Sequence, residues 1–236
     1  MSYCTNGHTV AQNYIKNFSE CDILIYQPIS ERWGIGNTEN KENGILKFVK
    51  PECQKICFPY IHLDMLPLIN DNNLFLGGSC IDKYKSQSFS LDQILNLYDN
   101  ESFDFELRTR FRHSIEYMRY KENAFCNVKV VNYILENYKT TNLIDSHNHI
   151  NGVLGSYISK QIYSKIVSQP SEKDIDILNQ TMYKINKDDV LPYSKYMKRE
   201  LDIDYPLQSR DEYYREIIIS IYNNPNLIKR SNLFYV

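Results

Sequence analysis

The sequence predicts an α/β fold with a small parallel sheet and a mostly helical C-terminal part. Three observations lead there. Two short apolar runs of strand character come early, a middle stretch has helical period, and a third apolar run is followed at once by an amphipathic segment. Strands that alternate with helices imply crossover connections, the connections parallel strands require. The 236 residues suffice for one domain with a buried core.

Each element has its own signal. "HTVAQNYIKNF" places Val10, Tyr14, Ile15 and Phe18 on one helical face, and "DILIY" at 22–26 is a buried-strand run closed by Gln27-Pro28. A polar loop, "SERWGIGNTENKENG", leads to a short helix around 44–49. "KICF" at 55–58 is the second strand, stopped by Pro59. Helical periods follow over 90–99, 103–122 and 130–138, "NLI" at 142–144 reads as a third strand, and 151–167 carries Val153, Leu154, Tyr157, Ile158, Ile162 and Ile166 on one stripe. Beyond Gln169-Pro170 the chain reads as helical, including "SRDEYYREIIISIYNN" at 209–224, with breaks at 189–192 and 203–206. The expected organisation is a core over 1–168 and a helical extension over 169–236 packed on the same domain.

A formal net charge of −2 gives no basic field, so nucleic acid is not an expected partner. No apolar run has membrane-spanning length, and membrane insertion is not expected. The six scattered cysteines (Cys4, Cys21, Cys53, Cys57, Cys80, Cys126) read as free thiols of a reducing, cytoplasmic compartment.

The densest chemistry is "IDSHNH", residues 144–149. Asp145, His147 and His149 match the Asp-x-His-x-His pattern with which amidohydrolase barrels hold zinc. Such a barrel needs further ligands downstream, yet no histidine follows His149, so no metal is expected. A second reading puts Asn148 and His149 at a strand end just before a helix, where free N–H groups and positive potential receive anions and keep an imidazole neutral. The plain alternative is a helix cap; two histidines, an aspartate and an asparagine together favour a site.

"YQPISERWG" follows the first strand, and Gln27, Arg32 and Trp33 there suit a planar or phosphate-bearing ligand, or else form a surface loop whose tryptophan covers the core. "FPYIHLDMLP" follows the second strand, and His62 in it reads either as a ligand-binding or acid–base group or as a packing residue. Cys4 precedes the first helix, where the dipole favours a thiolate. "LGGSC" at 76–80 has the flavour of an oxyanion turn but no following helix signal.

In order and spacing, "DILIYQPISERWG", "KICFPYIHLDMLP" and "VVNYILENYKTTNLIDSHNHINGVLGSYISKQI" resemble a bacterial family of polysaccharide-biosynthesis acetyltransferases that modify capsules, over roughly residues 1–168. The resemblance implies a three-layer α/β/α, SGNH-hydrolase-like core that binds coenzyme A and transfers acetyl from acetyl-CoA to a sugar or nucleotide-sugar hydroxyl or amine. Gln27 falls in the family's Tyr-Gln-Pro element, Asn148-His149 in its Asn-His element, and Cys4 against the cysteine of its opening Gly-Asn-Cys-Gln motif. Two departures stand out. Only three residues precede Cys4, and Ile150 replaces the usual proline.

On this reading His149, with His147 second, deprotonates the acceptor. Asp145 orients an imidazole, and Asn148 or N–H groups near Gly152 hold the oxyanion. Cys4 allows an acetyl-cysteine intermediate. Gln27, Arg32, Trp33, His62 and Asn148 face the cofactor. The rival classes are an SGNH-type carbohydrate esterase and a non-catalytic glycan-binding module.

Overall fold

The structure, a computed structural model, describes the backbone of residues 15–65, 69–71, 74–76, 79–167, 171–182, 193–206 and 211–224. It is an α/β fold with a small parallel sheet and a mostly helical C-terminal part. The chain divides into two compact units. One comprises Met1–Tyr60, Met118–Asn132 and Gly155–Gln180, the other Ile61–Tyr117, Tyr133–Leu154 and Thr181–Val236.

In the first unit, helical residues 15–20 (α1) lead into β1 (Ile23–Tyr26), which pairs in parallel with β2 (Gln54–Cys57), from Ile23 opposite Gln54 to Tyr26 opposite Cys57. The ladder extends at both ends, where Gln54 N–H donates to Asp22 O (2.8 Å) and Phe58 N–H to Tyr26 O (3.0 Å). Leu24 and Tyr26 pack, with Phe18 and Cys21, against a core of Leu46, Val49 and Cys53. The run "ILIY" is not buried on both faces as its composition predicts, for Ile23 and Ile25 are 40% and 46% exposed. Unbroken apolar content had hidden an ordinary period-2 strand. Only residues from 15 onward of the expected first helix lie within the described backbone.

The polar loop between these strands is ordered by its own side chains. It holds 3-10 turns at Glu31–Gly36 and Ile45–Phe48, the second in place of the expected short helix. Thr38 Oγ1 accepts from Ile29 N–H (2.7 Å) and donates to Gln27 O (2.5 Å), and Asn40 Oδ1 accepts from the N–H groups of Glu42 and Asn43. Gly44 is required, because a Cβ there would collide with the Asn37 and Asn40 carbonyl oxygens. Farther along the chain, the Glu122 carboxylate caps α5 (Val131–Asn137) by accepting from Val130 N–H (2.5 Å) and Val131 N–H (3.0 Å). α7 (Glu172–Met182) also begins here.

The second unit holds a short antiparallel pair, β3 (Ile69–Asp71) and β4 (Leu74–Leu76), and helices α2 (Ser79–Ser86) and α3 (Leu91–Asp99). A reciprocal capping box of Ser90 and Gln93 starts α3. α8 (Lys195–Leu201) and α9 (Asp211–Asn223) complete it. α9 buries Tyr214, Ile217, Ile218 and Ile221 and contacts α2 and α3. Tyr98 and Tyr196, both fully buried, stack with ring centroids 5.4 Å apart; Tyr98 donates to Asp211 (3.1 Å) and Tyr196 to Tyr98 O (2.7 Å). Each buried phenol thus finds a partner. Helices α4 (Leu107–Phe125) and α6 (Gly152–Ile166) each run from the second unit into the first. Among the described residues, no helix is long and apolar enough to cross a membrane.

Candidate functional site

In the second unit, Ile61–Met65 has no regular secondary structure, yet all five residues are buried. Buried irregular backbone must find hydrogen bonds elsewhere. Leu63 N–H donates to His147 O (2.7 Å), and Asp64 N–H to Ser114 Oγ (3.3 Å), whose hydroxyl donates to Phe111 O (2.7 Å). His62 and Asp64 are thereby fixed between α4 and the segment that carries His147.

That segment is a hairpin. β5 (Ile144–Ser146) turns back on β6 (His149–Ile150), with Ile144 opposite Ile150 and Ser146 opposite His149. The mismatch leaves Asp145 as an extra residue, a β-bulge. His147 and Asn148 form the two-residue turn, and neither has a positive φ. Ser146 Oγ donates to Asn148 Oδ1 (3.4 Å). The base is clamped by two asparagines: Asn142 Oδ1 accepts from Ile144 N–H (3.3 Å), and Asn151 donates through its backbone to Leu143 O (3.1 Å) and through its amide to Asn142 O. Asn151 Oδ1 then accepts from Val153 N–H (3.0 Å) and Leu154 N–H (3.3 Å), capping α6. Tyr193 Oη donates to Ile144 O (3.1 Å) from outside the hairpin.

The expectation of a third parallel strand over 142–144 running straight into a helix is therefore corrected. The strand lies over Ile144–Ser146, pairs antiparallel with β6, and leaves the cap to Asn151. A tight turn built from His and Asn, without Gly or Pro, carries no strong signal in the sequence.

The hairpin brings His147 onto His62. The two rings meet edge to face with centroids 5.2 Å apart, and both side chains are buried. Beside them, Asp64 and Arg110 form a two-pronged ion pair, Arg110 Nε donating to Asp64 Oδ2 (3.1 Å) and Nη2 to Oδ1. Burial holds the His62 imidazole below the usual histidine range; the Asp64 carboxylate opposes this and the Arg110 guanidinium adds to it. His62 is consequently a neutral imidazole at pH 7, able to accept a proton or to share one with a neighbour.

The other sequence-derived candidates are placed as follows. His149 is exposed on β6, and Asn148 is half-buried in the turn. Asp145 is half-buried at the bulge, where its charge adds to burial and to Tyr205 in pushing the Tyr193 phenol well above its ordinary value. Gln27 belongs to the first unit, its amide 3.5 Å from Pro59 O, and lines an open, mainly apolar groove with Tyr26, Ile29, Thr38 and Phe58. The backbone of Arg32 and Trp33 lies in the 3-10 turn of that unit, while their side chains, and the whole of Cys4, fall outside the described residues.

"LGGSC" is followed by a helix after all, since α2 starts at Ser79. Its cysteine is buried, and burial pushes the Cys80 thiol up to about 12, which disfavours a nucleophilic thiolate. Sequence reasoning missed Asp64, Arg110, Ser114 and Tyr193. The spacing His62-x-Asp64 inside a Pro-bracketed apolar segment was the one available signal. Among the described residues no group of three or more His, Cys, Asp or Glu side chains is arranged to hold a metal ion.

No protein-family model matches the chain, and no curated protein matches it. In fold it is similar to the solved structure of WcbI, described as a novel polysaccharide biosynthesis enzyme, in a native form without a disulfide bond between coenzyme A and a cysteine of that protein. The TM-score is 0.67 at 14% sequence identity, over 94% of this chain and 79% of that one.

Proposed function

We propose that this protein is an acyltransferase of glycan biosynthesis, moving the acetyl group of acetyl-CoA to a hydroxyl or amine of a sugar or nucleotide sugar in the cytoplasm. The observation that carries this reading is the buried, edge-to-face pairing of His147 with His62 at the hairpin turn; the likeness in fold to a polysaccharide biosynthesis enzyme whose description names coenzyme A supports the substrate class.

His147 is assigned as the general base. Its backbone is tied to Leu63 and its ring rests on His62, so it is oriented in advance, whereas His149 stands exposed on β6. The acceptor oxygen or nitrogen attacks the thioester carbonyl as His147 takes its proton. The C–S bond then breaks and the coenzyme thiol leaves with that proton. Neutral His62 supports the charged imidazolium that forms meanwhile, and the Asp64–Arg110 pair fixes the segment carrying His62. The Ser146 hydroxyl holds the Asn148 carbonyl oxygen (3.4 Å), which leaves the amide NH2 as a donor for the oxyanion. Direct transfer of this kind needs no cysteine.

The test pairs binding with turnover. Coenzyme A and acetyl-CoA at millimolar concentration raise the melting temperature, and thiol release from acetyl-CoA depends on a sugar or nucleotide-sugar acceptor. His147→Gln, with an unchanged circular dichroism spectrum, lowers turnover by about two to four orders of magnitude with little change in coenzyme affinity. His149→Gln costs less than about tenfold. No binding of either coenzyme form refutes the reading, and the reverse order of the two variants moves the base to His149.

A further inference from the structure

A second constellation, in the first unit, has no part in this chemistry. Cys57 is the last residue of β2, and Cys126 follows the end of α4, 69 residues on. Their sulfurs lie 3.6 Å apart, both side chains are buried, and both thiols are free. The backbones that carry them are locked together: Cys57 N–H donates to Asn127 Oδ1 (2.9 Å), and the Cys57 carbonyl accepts from the N–H groups of Asn127 and Val128 (3.0 Å each).

We propose that Cys57 and Cys126 are a redox-active dithiol that closes to a disulfide when the protein meets a hydroperoxide. A disulfide needs the sulfurs about 2.05 Å apart, so each moves by about 0.8 Å, within reach of side-chain rotation on a fixed backbone. Nothing in the ladder between residues 57 and 127–128 has to break.

The order of events follows from the surroundings of the two sulfurs. Cys57 and Cys126 share one S–H···S contact (3.6 Å), Cys126 donates to Lys121 O (3.6 Å), and Tyr26, opposite Cys57 in the register of the sheet, donates to Cys57. The contact with Cys126 and the Tyr26 hydroxyl hold the Cys57 thiol below its ordinary value against the effect of burial, while the same sulfur contact and burial push the Cys126 thiol up. Cys57 is thus the attacking sulfur and Cys126 the resolving one. The Cys57 thiolate attacks one peroxide oxygen, and the O–O bond breaks. Cys57 becomes a sulfenic acid, and the departing oxygen takes up the proton that Cys57 had lost. Cys126 sulfur then attacks Cys57 sulfur. The S–S bond forms, the S–O bond breaks, and hydroxide leaves with the Cys126 proton as water. Two thiols lose two electrons, and hydrogen peroxide becomes two waters; a dithiol reductant reverses the change.

The pair sits at the carboxyl end of the parallel strands, next to Tyr26 and Phe58 of the groove that Gln27 lines. Closure moves the sulfur that accepts from Tyr26 and so alters one wall of that groove. The proposal is independent of acyl transfer.

The full-length protein is treated with hydrogen peroxide, alkylated with N-ethylmaleimide under denaturing conditions and mapped by mass spectrometry. The expected product is a linked pair of peptides containing Cys57 and Cys126, lighter by two hydrogens and restored by dithiothreitol, with Cys80 still alkylated. Cys126→Ser halts the reaction at a Cys57 sulfenic acid that dimedone captures. Alkylation of both Cys57 and Cys126 after peroxide treatment overturns the proposal. So does oxidation confined to Cys21 and Cys53, whose sulfurs are 3.5 Å apart but where Cys53 is pushed up.

Discussion

Replacing Arg110 by Met removes one arm of the Asp64–Arg110 pair while keeping most of the side-chain volume. The side chains of the two residues are only 10% and 16% exposed, so solvent does little to screen the carboxylate left behind. Breaking a buried pair from one side costs about 3–5 kcal/mol, and the residual exposure points to about 3. Urea denaturation at pH 7.5, followed by far-UV circular dichroism, measures it. Asp64→Asn and the double variant close a thermodynamic cycle. The double variant should be no less stable than Arg110→Met alone, which makes the coupling at least as large as the loss from Asp64→Asn alone. The substitution reaches His62 as well, because Arg110 is one of the groups holding that imidazole low. Its removal raises the His62 pKa and flattens the fall of stability in acid. A loss below about 1 kcal/mol, with additive single variants, would refute the argument that this pair fixes the Ile61–Met65 segment.

For the unaltered protein, His62 binds its proton less readily when folded than when unfolded. This contribution is therefore full above the unfolded histidine value of about 6.5 and is lost as pH falls from there through the lower folded value, and His62→Gln should remove part of the slope between pH 7 and 5. Identical acid slopes in the two proteins would count against a buried neutral imidazole. Asn151→Ala deletes the α6 cap and the bond to Asn142, and should cost about 2 kcal/mol. Asn151→Asp keeps the capping oxygen and should recover about half of that in the same assay; equal losses would show that the cap contributes little. Glu122→Gln keeps one acceptor for the α5 N-terminus but drops its charge, so a loss of about 1 kcal/mol by thermal denaturation is expected, against about 2 for Glu122→Ala.

The parallel pair and most of the helices were legible because their signals are local. "DILIY" and "KICF" end in prolines that cannot continue a ladder, Ser90 with Gln93 announces α3, and the stripe over 153–166 describes α6. What lay hidden was the pairing of distant segments. The bulge at Asp145 shifts the register by one residue, and that shift decides which histidine faces inward. A strand drawn straight through 144–149 puts His147 and His149 on one face. The turn instead separates a buried His147 from an exposed His149. The contact with His62 spans 85 positions in the chain and could not be found by reading periods. Arg110 looked like any other charge on a helix until Asp64 was placed against it.

The hairpin has a consequence for how this site varies. Neither His147 nor Asn148 occupies the left-handed region, so the turn demands no glycine at either position. Its course is set by Asn142, Asn151 and the Asp145 bulge, all outside the two residues at its tip. The path of the turn and the side chains at its tip are thus written in different letters of the sequence. The side chains at 147 and 148 can therefore be exchanged while the loop that presents them keeps its path.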